Sequence, residues 1–353
     1  MIAVIPTCRS ISLEHFGPLI DDGVRFIVVD DSEGVVKVNH PQFEVYTWAD
    51  RRRILGGNEI AIPRGTGSCR DLGFYIAWKE SDVDEIVVAL DDDCSIELPD
   101  FPEQVRSRFR VAKRPTLNGN PRFYNHFDLY EDGDLAGLFP RGFPYSARVN
   151  YQRLEPGNEV TVAARFNLGL WKGVPDIHAV DRIGLERCEF PEARLLHENV
   201  ILPEGTATCL CAGSMQLHRE VIPAIYQLPM MIEIFPGWPL DRLGDIWAGY
   251  ILKTLMDIRG ERMSVGGPLV RHLRIGPLQQ NLRREHLGHL VNEEFIDLLT
   301  HLRGEIESGD YQEMMAQLQE LFARNAHKAS PILCAYLSKL QSPLSAWIAA
   351  LRS

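Results

Sequence analysis

Three consecutive carboxylates, Asp91-Asp92-Asp93, follow the apolar run Glu85 to Leu90. At a strand end, alternate members of such a triplet can hold one hard divalent cation through oxygen, and the cation would neutralise a diphosphate leaving group. A triplet of this kind serves equally as a solvated turn or helix cap, so its neighbours matter: Leu90 and Cys94 are apolar and would hold it at a buried edge. A cation on Asp91 and Asp93 needs a further protein ligand. Of the eleven histidines the best placed is His272, which follows Gly266-Gly267-Pro268 in a segment that reads as strand to loop. Lone histidines are more often hydrogen-bonded structural residues, and His286, His289, His301 and His327 read as the surface of a polar helical tail. A second cluster, Pro140-Arg141-Gly142-Phe143-Pro144-Tyr145-Ser146-Ala147-Arg148, sets two arginines around a tight turn. Guanidinium forks match diphosphate oxygens in bidentate fashion, so the segment is either an anion clamp or, more plainly, a Pro/Gly surface loop.

These residues need a frame. Ile2 to Ile5, Arg25 to Asp30, Phe43 to Thr47 and Glu85 to Leu90 read as buried strands ending in polar loops, and Ser68 to Trp78 reads as a helix. The alternation predicts an α/β fold with an open, mostly parallel sheet. Ligands of such sheets gather at the carboxyl ends of strands, where Thr7, Asp31 and Asp91 all fall. From Pro115 to Glu204 the chain is rich in Gly, Pro, Asn and aromatics and predicts long loops with short strands. Thr206 to Leu217 predicts another buried strand, and Asp241 to Ile258 a helix with an apolar face. After Asn281 the chain turns helical and charged, with breaks expected at Gly309, Pro331 and Pro343. The expected division is an α/β domain over 1–280 and a helical extension over 281–353 suited to packing or homo-oligomerisation.

Composition narrows the function classes. Thirty-seven Lys and Arg against 48 Asp and Glu give the 353-residue chain a net charge of −11, which repels polyphosphate backbones and excludes general nucleic-acid binding. No run approaches the ~20 apolar residues of a membrane span, and the N-terminus lacks a basic region or cleavage signal, so a cytoplasmic protein is expected. The seven cysteines are scattered without a CxxC pair, which predicts free thiols and no zinc site.

Taken in order, several strings carry a family resemblance: Val4-Ile5-Pro6-Thr7 with Arg9, Arg53-Ile54-Leu55-Gly56, Ser68-Cys69-Arg70, Leu90 to Cys94, and Arg141 to Arg148. Gly169-Leu170-Trp171, Pro175-Asp176, Asp245 to Gly249, Gly267-Pro268, His272 and Ala346-Trp347-Ile348 complete the set. The chain resembles the reversibly glycosylated polypeptides, or UDP-arabinopyranose mutases, a retaining family of the GT-A glycosyltransferase type. The resemblance implies a GT-A-like (Rossmann-like) sheet over 1–280 and an enzyme that interconverts UDP-L-arabinopyranose and UDP-L-arabinofuranose with Mn²⁺ or Mg²⁺ and no flavin. It implies a metal and diphosphate role for Asp91 and Asp93, with His272 as a late metal or phosphate ligand. It implies UDP contacts at Pro6, Thr7, Arg9, Asp31, Arg53 and Arg70. Arg141 matches the arginine that becomes reversibly glycosylated, and Arg148 its partner. A guanidinium, with a pKa above about 12, is a poor nucleophile, so a carboxylate must take its proton or orient it. Asp92, Asp176 and Asp245 are the candidates, unranked by sequence. Plant members carry His-Gly-Leu-Trp near Asn167 to Trp171, and Tyr-Asp-Ala after Pro-Asp where this chain has Ile177-His178-Ala179; these departures bear on sugar identity. A self-glycosylating or acceptor-directed UDP-sugar glycosyltransferase is the competing activity, and a non-catalytic sugar-nucleotide binder the competing class.

Overall fold

The computed structural model describes residues 1–353 except 33, 132–134, 136 and 186–188, so Glu33 and one of the seven cysteines, Cys188, lie outside the described residues. The strands run in chain order as β1 (Ile2–Thr7), β2 (Arg25–Asp30), β3 (Phe43–Tyr46), β4 (Ile86–Leu90), β5 (Cys94–Ser95), β6 (Ala112–Leu117) and β7 (Pro156–Val162). They continue with β8 (Phe166–Gly173), β9 (Asn199–Ile201), β10 (Ser214–His218), β11 (Ile232–Phe235), β12 (Trp238–Leu240) and β13 (Met263–His272). The helices are α1 (Gly17–Asp21), α2 (Trp48–Leu55), α3 (Arg70–Glu80), α4 (Phe101–Arg108), α5 (Tyr145–Arg148) and α6 (Ala179–Arg182), then α7 (Gly244–Arg259), α8 (Leu278–Leu302), α9 (Tyr311–Asn325) and α10 (Pro331–Arg352).

β1, β2 and β4 are Ile/Val-rich runs buried almost throughout, as interior parallel strands must be. The main sheet runs β3-β2-β1-β4-β10-β8-β13-β9-β6-β7, with β5 paired to β13. The order β3-β2-β1-β4 is parallel throughout. β10 then enters antiparallel between β4 and β8, and β8 pairs parallel with β13. The open α/β sheet expected from the sequence is therefore the one that forms, its parallel character carried mainly by the N-terminal half. α3 covers β1 and β2 at close range: a Cβ on Gly73 would sit 2.4 Å from Val4 Cγ1, so only glycine fits that crossing.

Two local expectations change. Of Thr206 to Leu217 only Ser214 onward is strand, because the backbone before it is claimed elsewhere: the Ala212 carbonyl accepts from Arg70, and the Ala212 N–H donates to Asp245 at 3.3 Å. Pro331 starts α10 rather than breaking a helix, with Ser330 as N-cap, and Pro343 lies inside α10. In the Gly/Pro-rich middle, β8 is a full eight-residue strand near the centre of the sheet.

The helical tail packs back on the α/β core. α8 lies on α7, where Trp247 stacks on Phe295 at 4.0 Å and donates to Asn292 at 2.9 Å. Trp347 of α10 stacks on Tyr226 at 5.0 Å and donates to the Pro223 carbonyl at 3.1 Å. Among the described residues no helix is long and apolar enough to cross a membrane.

Candidate functional site

β4 delivers the acid triplet to the carboxyl edge of the sheet, and the short β5 that follows fixes it there. Cys94 and Ser95 pair with His272 and Arg271 of β13, and the Leu273 N–H donates to the Asp93 carbonyl at 2.9 Å. This pairing brings His272, remote in sequence, beside the triplet: its Nε2 stands 3.7 Å from Asp93 Oδ1. Its Nδ1 lies 2.7 Å from the Val174 carbonyl, which can only accept, so in the neutral ring Nδ1 carries the proton and Nε2 keeps its lone pair toward Asp93. The carboxylates are otherwise held by arginines. Arg70 donates to Asp91, and Arg9 bridges Asp92 and Asp93, at 3.1 Å from the latter. Thr7 Oγ1 donates to Asp92 at 2.5 Å. Burial and then the neighbouring Asp91 raise the Asp93 pKa, the signature of a site short of positive charge. Asp91, Asp93 and His272 do not form a ready-closed trio. The groups whose ligand atoms lie within 4.8 Å of one another are His178-Glu285-His289 and Asp176-Cys211-Asp245, among the described residues.

Arg141 anchors the second half of the site. Its Nε and Nη2 donate to the two oxygens of Asp176 at 2.8 Å each, Nη2 also reaches Asp245 Oδ2 at 3.0 Å, and Nη1 reaches Asp245 Oδ1 at 3.3 Å and the Arg242 carbonyl. The side chain is 7% exposed. Burial alone would lower the guanidinium pKa, but Asp176 and Asp245 outweigh it and hold it well above the usual value. Burial would likewise raise Asp176, and Arg141 instead holds it below the ordinary carboxylate range. Asp245 stands in the first turn of α7, and Arg242, at φ +65°, turns its carbonyl onto the fork.

Gly142 makes this placement possible. Its φ is +86°, and an added Cβ would stand 2.5 Å from Ile246 Cγ2. Gly142→Ala is expected to cost about 2 to 4 kcal/mol through strain and overpacking, read as a lower urea midpoint together with reduced turnover. An unchanged midpoint would show that the loop reseats freely. The Gly142 N–H donates to His178 Nε2 at 2.9 Å, which puts the proton of the neutral ring on Nδ1, facing Glu285 at 3.6 Å. A metal on His178 Nδ1 would have to displace that proton, so this trio is better suited to bracing the Arg141 loop than to holding an ion.

Two lobes of one cleft join these groups. One, open to solvent, spans about 770 Å³ and reaches Pro6, Gly67, Arg70 and Gln227. The other, about 730 Å³, reaches Arg9, Asp93, Asp176, Cys211 and His272. Both are lined by Asp91, Arg141, Ala212, Arg242 and Asp245.

Several residues singled out from sequence lie differently. Asp92 faces Thr7 and Arg9 rather than Arg141, which leaves Asp176 and Asp245 as the carboxylates on that guanidinium. Arg148 lines neither lobe; it pairs with Asp181 at 2.9 Å and lies 4.5 Å over the Tyr145 ring. Arg53 is on the exposed side of α2, paired with Asp50. Two helical positions span about 200°, so Arg51 points the other way, fully buried, and donates to Asp31 at 2.9 Å. Asp31 spends its other oxygen on the Gly65 N–H at 2.7 Å. His289, expected at the surface, packs its ring 4.8 Å from His178 with Nδ1 at 3.1 Å from Tyr145 Oη, and burial lowers its pKa to about 4. His178, Glu285, Arg242 and Cys211 were missed, and only the one-turn spacing of Glu285 and His289 on a helix could have signalled part of the group.

The whole chain, residues 1–353, matches the family described as reversibly glycosylated polypeptide. It is 26% identical over 353 residues to the probable UDP-arabinopyranose mutase 4 of Arabidopsis thaliana, covering 98% of this chain and 89% of that one. It is 27% identical over 353 residues to UDP-arabinopyranose mutase 1 of the same plant, covering 98% and 90%. Among solved structures, the mannosyltransferase PcManGT from Pyrobaculum calidifontis, in complex with GDP-Man and Mn²⁺, superposes with a TM-score of 0.31 at 11% identity, covering 99% of this chain and 85% of that one. That likeness is too slight to carry an argument. The family match spans every element that builds the cleft, from β1 to α10, and the chain belongs to the reversibly glycosylated polypeptide family.

Proposed function

We propose that the protein is a UDP-sugar pyranose/furanose mutase acting on UDP-L-arabinopyranose and UDP-L-arabinofuranose or a closely related UDP-sugar. The names of its relatives support this, and one observation carries it: the fork of Arg141, held by Asp176 and Asp245, opens onto the same cleft as the acid triplet. A diphosphate beside Asp91 leaves the attached sugar facing that guanidinium. The donor set suits Mn²⁺ or Mg²⁺, with Asp91, Asp93 and the lone pair of His272 Nε2 as the residues to hold it. Such an ion supplies charge neutralisation for the departing diphosphate.

The chain's own residues do the rest. Arg9 and Arg70, now spent on the triplet, are the donors closest to hand for diphosphate oxygens. If the sugar passes to Arg141, the bond from the anomeric carbon to Nη2 forms as the bond to the UDP oxygen breaks, and the Nη2 proton goes to Asp245, 3.0 Å away. The bond from the anomeric carbon to the ring oxygen then breaks as a C=N bond to Nη2 forms, the remaining Nη2 proton passing to that oxygen; another hydroxyl adds to the C=N carbon and its proton returns to Nη2. UDP oxygen then displaces Nη2, and Asp245 returns its proton. The balance needs no redox partner, so the proposed chemistry calls for no flavin. We place this chemistry in the cytoplasm, where the free cysteines of the described residues stay reduced.

Incubating the protein with UDP-arabinopyranose and Mn²⁺ should yield UDP-arabinofuranose. A glycosylated acceptor in place of the isomeric nucleotide would make the protein a transferase, and no turnover would make it a binder. UDP should also bind at least about tenfold more weakly in EDTA than in Mn²⁺, as calorimetry can measure. Equal affinity would remove the cation from Asp91 and Asp93.

A further inference from the structure

The proposed chemistry of the diphosphate and the sugar leaves the buried polar side chain of Gln227 unused. Gln227 lines the lobe that contains Arg70 and Asp91, is only 3% exposed, and its Nε2 has no hydrogen-bond partner. A buried amide left unpaired costs free energy, and its persistence at the wall of a cleft points to a ligand group that completes it. The backbone around it is fixed from several sides. The Gln227 N–H donates to both oxygens of the buried Asp71 at 3.1 and 3.2 Å. Tyr226 donates to the Ala61 carbonyl and stacks on Trp347, and the Pro229 carbonyl accepts from Tyr336 at 3.1 Å. These bonds fix the backbone that carries the Gln227 side chain, and a fixed support lowers the ordering cost of a contact made through it.

Its neighbourhood indicates the ligand. A Cβ on Gly67 would stand 3.9 Å from Gln227 Oε1, and two residues before Gly67 the Gly65 N–H is bound by Asp31. Gln227 therefore borders the loop that ties the end of β2 to the start of α3, with Pro6, Leu228 and Met230 adding apolar wall to the lobe. A carboxamide presents a donor and an acceptor side by side, the complement of the imide edge of uracil, where N3–H donates and a ring carbonyl accepts. Resting on the mutase reading, we infer that Gln227 is the residue that reads the base of the nucleoside diphosphate, hydrogen-bonding the uracil imide edge through Nε2 and Oε1.

Calorimetric titration of wild type and Gln227→Met with UDP and with ribose 5-diphosphate, which keeps the diphosphate and lacks the base, tests this. Methionine fills a similar volume without hydrogen bonds. The variant should bind UDP about 10- to 100-fold more weakly and ribose 5-diphosphate as wild type does, which also shows that it is folded. Unchanged UDP affinity, or equal losses for both probes, would overturn the assignment. If UDP binding depends on Gln227 but no isomeric UDP-sugar is made, the mutase reading fails and this one stands. A wild-type protein that does not bind UDP overturns both.

Discussion

Arg141→Lys should lower turnover by about 10²- to 10³-fold, the usual cost of removing one well-placed charged donor, while UDP still binds. The reason lies in the geometry of the fork. Arginine meets Asp176 through Nε and Nη2 and Asp245 through Nη1 and Nη2 at the same time. An ammonium is a point charge that cannot satisfy both carboxylates in those directions, and it lacks the guanidine nitrogen that the proposed transfer uses. Part of the paired network is then left buried and short of partners, so stability falls as well. Urea unfolding and product formation measured together separate the two effects. Peptide mapping after incubation with UDP-sugar adds a direct reading: a sugar mass on the peptide containing Pro140 to Arg148, removed by excess UDP, identifies Arg141 as the carrier. An Arg141→Lys enzyme that turns over within about tenfold of wild type, or an adduct elsewhere, would leave Arg141 as an orienting cation only.

Asp93→Asn should lower turnover by more than the roughly 10- to 100-fold that changes behind a metal ligand cost, with an unchanged circular dichroism spectrum. Asp93 already sits where burial and Asp91 disfavour its charge more than Arg9 and His272 favour it, and an incoming cation would offset that. The amide keeps the shape of the loop, and the backbone bond from Leu273 to the Asp93 carbonyl survives. It removes the charge opposite His272 Nε2 and leaves Arg9 with Asp92 alone. The cation dependence of UDP binding should disappear in the same variant. Retained activity would move the cation away from the triplet.

The sequence disclosed most where local rules apply. The acid triplet was legible because it ends an Ile/Val run, and β1, β2 and β4 were legible because strands buried on both faces are continuously apolar. The meeting of Arg141, Asp176 and Asp245 obeys no spacing rule; it depends on a loop, the segment after β8 and the start of α7 converging. Resemblance could name these residues but could not rank Asp92 against the other two. Arg51 and Arg53 show the finer limit: both are arginines of one short helix, and only the face toward Asp31 separates the buried one from the exposed one. Gln227 carried no signal, since a lone glutamine in an apolar run becomes informative only when its side chain is seen unpaired.

The bracing of the cleft by α10 has a consequence for the order in which the protein is made. Trp347 supports Tyr226 across more than a hundred residues of sequence, and Tyr336 supports Pro229 in the same way. Contacts so distant in sequence carry a large loop-closure cost, and during synthesis they cannot form until α10 has left the ribosome. A nascent chain would already hold the triplet of β4, the fork of Arg141 and the start of α7, yet the wall that carries Gln227 would lack its support. The wall that carries Gln227 is therefore completed only after α10 has been made and packed, later than the side of the cleft that holds the triplet and the Arg141 fork.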